Sequence, residues 1–283
     1  MTTASHSALV RPARTTLVVR DLDRVARFYR EVVGLHHVDA ERDQVQLGAA
    51  GATLLELVRR PDADLQPQGF AGLFHTAFLL PSRADLGRWL RRAIDVGIAF
   101  DGAADHHVSE ALYLTDPEGN GIEIYADRPR ESWQWSGDQV QLTTEPLDVQ
   151  GLIAAGGSAA PDAARVPDLT VIGHIHLRVG GIPQAEVFYR DVLGLEVTAR
   201  RPGATFYATG GYHHHVATNS WLSRNAPKRS GTTTGLASFE LEATDDSSFN
   251  ALAERLLAAG GRQAGDAIKV ADPWLNRIVV RKA

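Results

Sequence analysis

The chain has 283 residues, a hydrophobic fraction of 44%, a charged fraction of 22% and a net charge of -5, the profile of a soluble globular protein long enough for two domains. The acidic balance offers no basic surface to nucleic acid or membrane, and no apolar run is long enough to span a bilayer as a helix. With no cysteine, disulfides, thiolate metal sites and thiol nucleophiles are excluded.

Residues 1–13 are polar and Ala-rich without the apolar centre of a signal peptide, and predict a flexible start to a cytoplasmic protein. A β-rich run follows at Thr16-Leu17-Val18-Val19. Val25, Phe28, Tyr29 and Val32 then fall at helical spacing, and Gly34 stands where a helix end wants a left-handed residue. Gln44–Leu47 and Thr53–Val58 predict strands. A second segment begins with the strand pattern His75–Leu80. It continues with a helix carrying Leu86, Trp89, Leu90, Ala93 and Ile94, stopped by Gly97. Strand Ala111–Leu114, the turn Asp116-Pro117-Glu118-Gly119-Asn120-Gly121 and strand Ile122–Tyr125 complete it. Residues 129–168, with Gly156-Gly157-Ser158-Ala159-Ala160-Pro161, predict a linker. Trp133 and Trp135 within it alternate as residues packed on a domain face do.

The order then returns. Phe28-Tyr29-Arg30-Glu31-Val32-Val33-Gly34-Leu35 is answered by Phe188-Tyr189-Arg190-Asp191-Val192-Leu193-Gly194-Leu195. Strands His174–Val179, Thr205–Ala208 and His213–Ala217 surround this second copy. A fourth segment runs from Ala237–Leu241 through the helix Phe249–Leu257 and Asp272-Pro273-Trp274-Leu275-Asn276 to Ile278–Val280. The pattern predicts an α+β protein of four βαβββ modules of about fifty residues each, forming two open, cup-like mixed sheets with helices outside. The predicted division is one domain over 14–128 (modules one and two), the linker, and a second domain over 169–283 (modules three and four).

The copies also serve as controls. His75 opens a strand and Glu123 lies inside an apolar one; His174 opens another, and three histidines follow at 213–215. The matching places hold Ala237 or Ser238, Val279, Arg14, and Leu54 with Leu55. The scaffold therefore does not require these polar groups, and imidazoles at apolar strand positions need partners. Two histidines and a carboxylate form the facial set that suits non-haem Fe(II). Glu56 predicts a structural partner for Arg14. His6, His36 and His37 have no strand context and read as surface residues. His176 alternates with His174 and faces the same side; His215 points away from His214 by the same alternation.

These phrases, Phe-Tyr-x-x-Val-x-Gly-Leu and Asp-Pro-x-Gly-Asn-x-Ile-Glu, resemble the vicinal oxygen chelate superfamily, which includes glyoxalase I, bleomycin-resistance proteins and extradiol dioxygenases. The resemblance is closer to bacterial two-domain catechol 2,3-dioxygenases through Val108–Tyr113, Gly119–Pro129 and Gly210–His215. It implies His75, His174 and Glu123 as ligands of Fe(II), with Mn(II) as the alternative metal. It also implies His214 as acid/base, with His213 as the near competitor. His106, ahead of His107, and Tyr113 would bind substrate oxygens. The implied partners are a small aromatic diol and O₂, in aromatic hydrocarbon catabolism; a homo-oligomer is left open. A glyoxalase-type isomerase, a hydroquinone-cleaving enzyme and a metal-free binding protein are the rival functions. One departure stands out. The implied set lies on modules two and three, across the linker, so these must pair in space or between subunits.

Overall fold

The computed structural model describes residues 10–157 and 165–283. Its first βαβββ unit comprises β1 (Val10–Val19), α1 (Leu22–Phe28), β2 (His36–Glu41), β3 (Gln44–Ala49) and β4 (Ala52–Arg59). The second comprises β5 (Gly72–Leu79), α2 (Arg83–Asp95), β6 (Gly102–Asp105), β7 (Ser109–Thr115) and β8 (Gly121–Asp127). Two short strands, β9 (Trp135–Ser136) and β10 (Gln139–Val140), and helix α3 (Val149–Ala155) come next. The third unit is β11 (Val171–Arg178), α4 (Ile182–Glu186), β12 (Glu196–Arg201), β13 (Ala204–Ala208) and β14 (Val216–Asn219). The fourth is β15 (Gly235–Ala243), α5 (Asp246–Ala258), β16 (Arg262–Ala264), β17 (Ala267–Ala271) and β18 (Arg277–Lys282).

Two eight-stranded sheets result, in the orders β16-β17-β18-β15-β1-β4-β3-β2 and β12-β13-β14-β11-β5-β8-β7-β6. Each takes one unit from either side of residues 129–168. Units one and four meet along β1 and β15, units two and three along β5 and β11, both antiparallel. Within every unit the first and last strands are parallel neighbours, so both sheets are mixed. One hydrophobic cluster runs through all four units and includes Leu17, Phe78, Ile175 and Phe239.

Local chemistry explains the helices. The Ser82 side chain caps α2 by accepting from the Asp85 amide, and Leu86, Trp89, Leu90 and Ala93 bury one face. Each such leucine contributes roughly 1.5–3 kcal/mol relative to exposure. After α1, Tyr29–Val33 widens into a π turn closed by Gly34 at φ 94°; Val187–Val192 repeats this after α4. The widened turn carries a tyrosine. The Tyr29 hydroxyl donates to Asp116 Oδ2 at 3.3 Å, and that of Tyr189 to Asp272 Oδ2 at 3.0 Å. Asp116 also accepts the amides of Glu118 and Asn120, closing its turn. The two recurring phrases are thus each other's partners, and the contact joins one sheet to the other.

Several expectations change. β1 already begins at Val10, paired with Ala243, four residues ahead of the expected domain start; His6 lies outside the described residues, as does 158–164. His36 and His37 open β2 rather than lying free of strands, and His36 Nε2 bonds the Val166 carbonyl. Arg14 pairs with Glu240 across the β1–β15 ladder at 2.7 Å, while Glu56 accepts from Thr16, its register partner on β1. Lateral register, invisible in one strand's sequence, chose these partners. The stretch expected to be a linker carries α3, which approaches α2 so closely that a Cβ on Gly87 would meet the Leu152 carbonyl oxygen at 2.1 Å.

Candidate metal centre

A row of side chains crosses the second sheet. His174 on β11 is the register partner of Ala77 on β5, Ala77 of Glu123 on β8, and Glu123 of Tyr113 on β7. His176 stands opposite His75 one step along the same face. Ile175 and Leu177, the alternate residues of β11, join the hydrophobic cluster instead. A bulge at Gly173 sets this phase by shifting the β11–β5 register between Ile172 and His174. Glycine is required there, because a Cβ would lie 1.7 Å from the Tyr125 hydroxyl.

His75, Glu123 and His174 are buried and bring their donor atoms together. Glu123 Oε2 lies 3.0 Å from His75 Nε2 and 3.1 Å from His174 Nε2, and the two nitrogens are 3.2 Å apart. Donors about 2.1 Å from one ion and at right angles to each other would be about 3 Å apart, so the trio fits one facial set. Burial pushes His174 down to about 4, which keeps the imidazole neutral, as a ligand must be. For Glu123 burial acts upward, but His174 and His75 together hold it well below the usual carboxylate range. His174 Nδ1 is buried without a hydrogen-bond partner, so the ring's polar engagement is through Nε2. Two imidazoles and one carboxylate fit a borderline divalent metal.

The trio forms the floor of a cavity of about 450 Å³, within the usual range for small-molecule sites. His106, Tyr113, His176 and His214 also line it. His106 Nδ1–H donates to the Thr143 carbonyl at 2.6 Å, leaving Nε2 to accept from the Tyr113 hydroxyl at 2.6 Å. Burial, then the Glu123 charge, push the Tyr113 phenol well above its usual value, so it stays protonated. The His214 ring lies 4.0 Å from that of His174. Burial, then neighbouring imidazoles, push His214 well down, so it is neutral.

A family model described as the Glyoxalase/Bleomycin resistance protein/Dioxygenase superfamily matches residues 11–124 and 171–277. The chain is 40% identical over 265 residues to Catechol-2,3-dioxygenase of Bacillus subtilis (strain 168), across 91% of this chain and 92% of that one. It is 32% identical over 152 residues to Biphenyl-2,3-diol 1,2-dioxygenase 3 of Rhodococcus globerulus, across 48% of this chain and 75% of the relative. Among solved structures, glyoxalase I from Zea mays superposes with a TM-score of 0.55 at 15% identity, covering 96% of this chain and 92% of that one. That last likeness is one of fold. The chain belongs to the Glyoxalase/Bleomycin resistance protein/Dioxygenase superfamily.

Within this superfamily chain, the six residues singled out from sequence all line one cavity, and one chain supplies them all. The nearest competitors do not line it: His213 is fully buried behind His214, and His107 is exposed at φ 66°. His213–His215 precede β14 instead of lying in it. Gly210 and Gly211, both left-handed, turn the backbone there, so strand alternation does not govern them. His215 stacks on Tyr212 and accepts from the Thr209 amide. Sequence patterns missed Leu142, Thr143 and Thr144, which line the cavity from the expected linker; a wall contributed partly by main chain has no residue signature. They also missed Asn219, which donates to His176 Nε2 at 3.0 Å, and Asp127, which touches His213 at 2.9 Å.

Among the described residues no helix is long and apolar enough to cross a membrane.

Proposed function

We propose that this protein is an Fe(II)-dependent extradiol dioxygenase that opens a catechol-type ring beside its two hydroxyls with O₂, giving a semialdehyde acid. The observation carrying this reading is the facial trio His75–Glu123–His174 at the floor of a cavity that also presents Tyr113, His106 and His214. The 40% identity to a catechol-2,3-dioxygenase along most of both chains supports the substrate class.

His75, His174 and Glu123 would hold the metal; Mn(II) satisfies the same donors. Bound there, Fe(II) would supply Lewis acidity toward the vicinal oxygens and redox access to O₂. His214, neutral at the cavity wall, accepts a proton from a diol hydroxyl. With its one hydrogen held by His106 Nε2, the Tyr113 hydroxyl offers its oxygen as an acceptor to a diol hydroxyl, and His106 fixes the phenol's direction. Phe74, Phe206 and Trp221 give the cavity aromatic walls for a ring. We further read the protein as cytoplasmic.

Anaerobic Fe(II) reconstitution followed by O₂ uptake with catechol tests the proposal, the expected sign being stoichiometric uptake and a yellow product. A nickel or zinc protein without O₂ uptake would move it to isomerase chemistry. Ligand binding unchanged by a chelator would make it a metal-free binder. A His214→Ala protein that keeps its iron and full turnover would remove His214 from its role.

A further inference from the structure

His213 lies behind the cavity wall with both ring nitrogens engaged. The ring is fully buried and packs on Tyr212, Trp133 and Tyr125 at centroid distances of 4.1, 5.1 and 6.3 Å. Trp133 is itself held by its Nε1–H on the Arg128 carbonyl at 3.0 Å. His213 Nε2 meets Asp127 Oδ1 at 2.9 Å, and His213 Nδ1 meets His214 Nδ1 at 2.7 Å.

Each contact fixes the next hydrogen. An ionised carboxylate only accepts, so the hydrogen between Asp127 and His213 sits on Nε2. When His213 carries a single N–H, the one facing Asp127, its Nδ1 is a bare acceptor. The hydrogen between the two rings therefore belongs to His214 Nδ1. That leaves His214 Nε2 with its lone pair, on the ring that lines the cavity.

We propose, resting on the reading of His214 as the proton acceptor, that Asp127 and His213 are positioning residues that hold His214 in the Nδ1–H tautomer. Neither lines the cavity; both act through the His214 ring. The opposite tautomer would carry its hydrogen on Nε2 and have no lone pair there to offer a hydroxyl. The packing of Tyr212 and Trp133 on His213 keeps that ring from turning over and exchanging its two nitrogens.

Nitrogen NMR on protein carrying labelled histidine, loaded with diamagnetic Zn(II), reads the tautomer directly, and steady-state kinetics on the Fe(II)-loaded protein reads its consequence. In the unaltered chain His214 carries its hydrogen on Nδ1. Asp127→Ala and His213→Leu move it to Nε2 and lower kcat about 100-fold, with KM and metal content unchanged. His213→Gln keeps an amide donor for Asp127 and a carbonyl acceptor for His214, and so retains the tautomer and most of the turnover. An Nε2–H tautomer in the unaltered chain would overturn the proposal. So would an Asp127→Ala protein with tautomer and kcat unchanged. If the unaltered chain turns over no diol, the dioxygenase reading fails, and the NMR result still decides this one.

Discussion

His174 on β11 and Glu123 on β8 face the same residue, Ala77, from opposite sides of β5, and their side chains meet above it at 3.1 Å. Two strands separate by nearly 10 Å across a third, so the two side chains must lean toward each other over the central position. Alanine leaves room for that. Gly121 does the same beside His75: a Cβ there would lie 2.0 Å from the Phe74 carbonyl oxygen and 3.3 Å from His75 Cβ. The candidate centre is built as much from these small residues as from its donors.

Ala77→Leu should therefore remove the centre without touching a donor atom. A larger side chain on this face would occupy the space over which His174 and Glu123 meet. Overpacking costs about 1–3 kcal/mol, which lowers stability while leaving the fold in place. Metal analysis after reconstitution should find little bound iron in a protein with normal circular dichroism. Full metal content would show that the donors do not need the gap.

Glu123→Gln tests the charge of the trio. The amide keeps the size of the side chain but loses the negative charge that offsets a divalent ion. Metal affinity should fall at least 100-fold, beyond the 10–100-fold usual for residues that only support a ligand. Competition with a chelator of known affinity measures this. An unchanged affinity would mean that the two histidines bind without the carboxylate.

The four units, the succession of elements along each and the glycine-closed helices were legible because each rests on local periodicity and turn chemistry. The candidate donors were legible because His75, Glu123 and His174 interrupt apolar strands whose counterparts carry no such groups. What pairs with what was not legible. The β5–β11 ladder joins strands about a hundred residues apart, with pairs such as His75–His176, and no local pattern announces it. Arg14 met Glu240 and not Glu56 for the same reason. Asp127, at the end of β8 and partly exposed, resembles any solvated charge until His213 is seen against it.

Tyr29→Phe should loosen the junction between the two sheets. The change removes one hydroxyl and leaves Asp116 bonded to Asn120 and to its turn amides. A hydrogen bond to a charged group is worth about 1.5–3 kcal/mol, and the urea midpoint should drop accordingly. Tyr29 does not line the cavity, so metal content should be unaffected. An unchanged midpoint would reduce the contact to a by-product of packing.

Acid should weaken the fold in a way traceable to His215. Burial, then His213 and Arg130, push this imidazole down to about 3, against about 6.5 in an unfolded chain. Between these values the unfolded state binds one proton more than the folded state, so stability rises with pH. The full stability is present above about 6.5 and falls by about 1.4 kcal/mol per pH unit as pH drops toward 3. His215→Gln can still accept from the Thr209 amide and carries no titrating group. Urea midpoints of the chelated protein, taken from neutral pH down to about 5, should therefore fall less steeply for the variant than for the unaltered chain. His174, His176 and His214 titrate in both and cancel in the difference. Equal slopes would place the proton uptake of unfolding elsewhere.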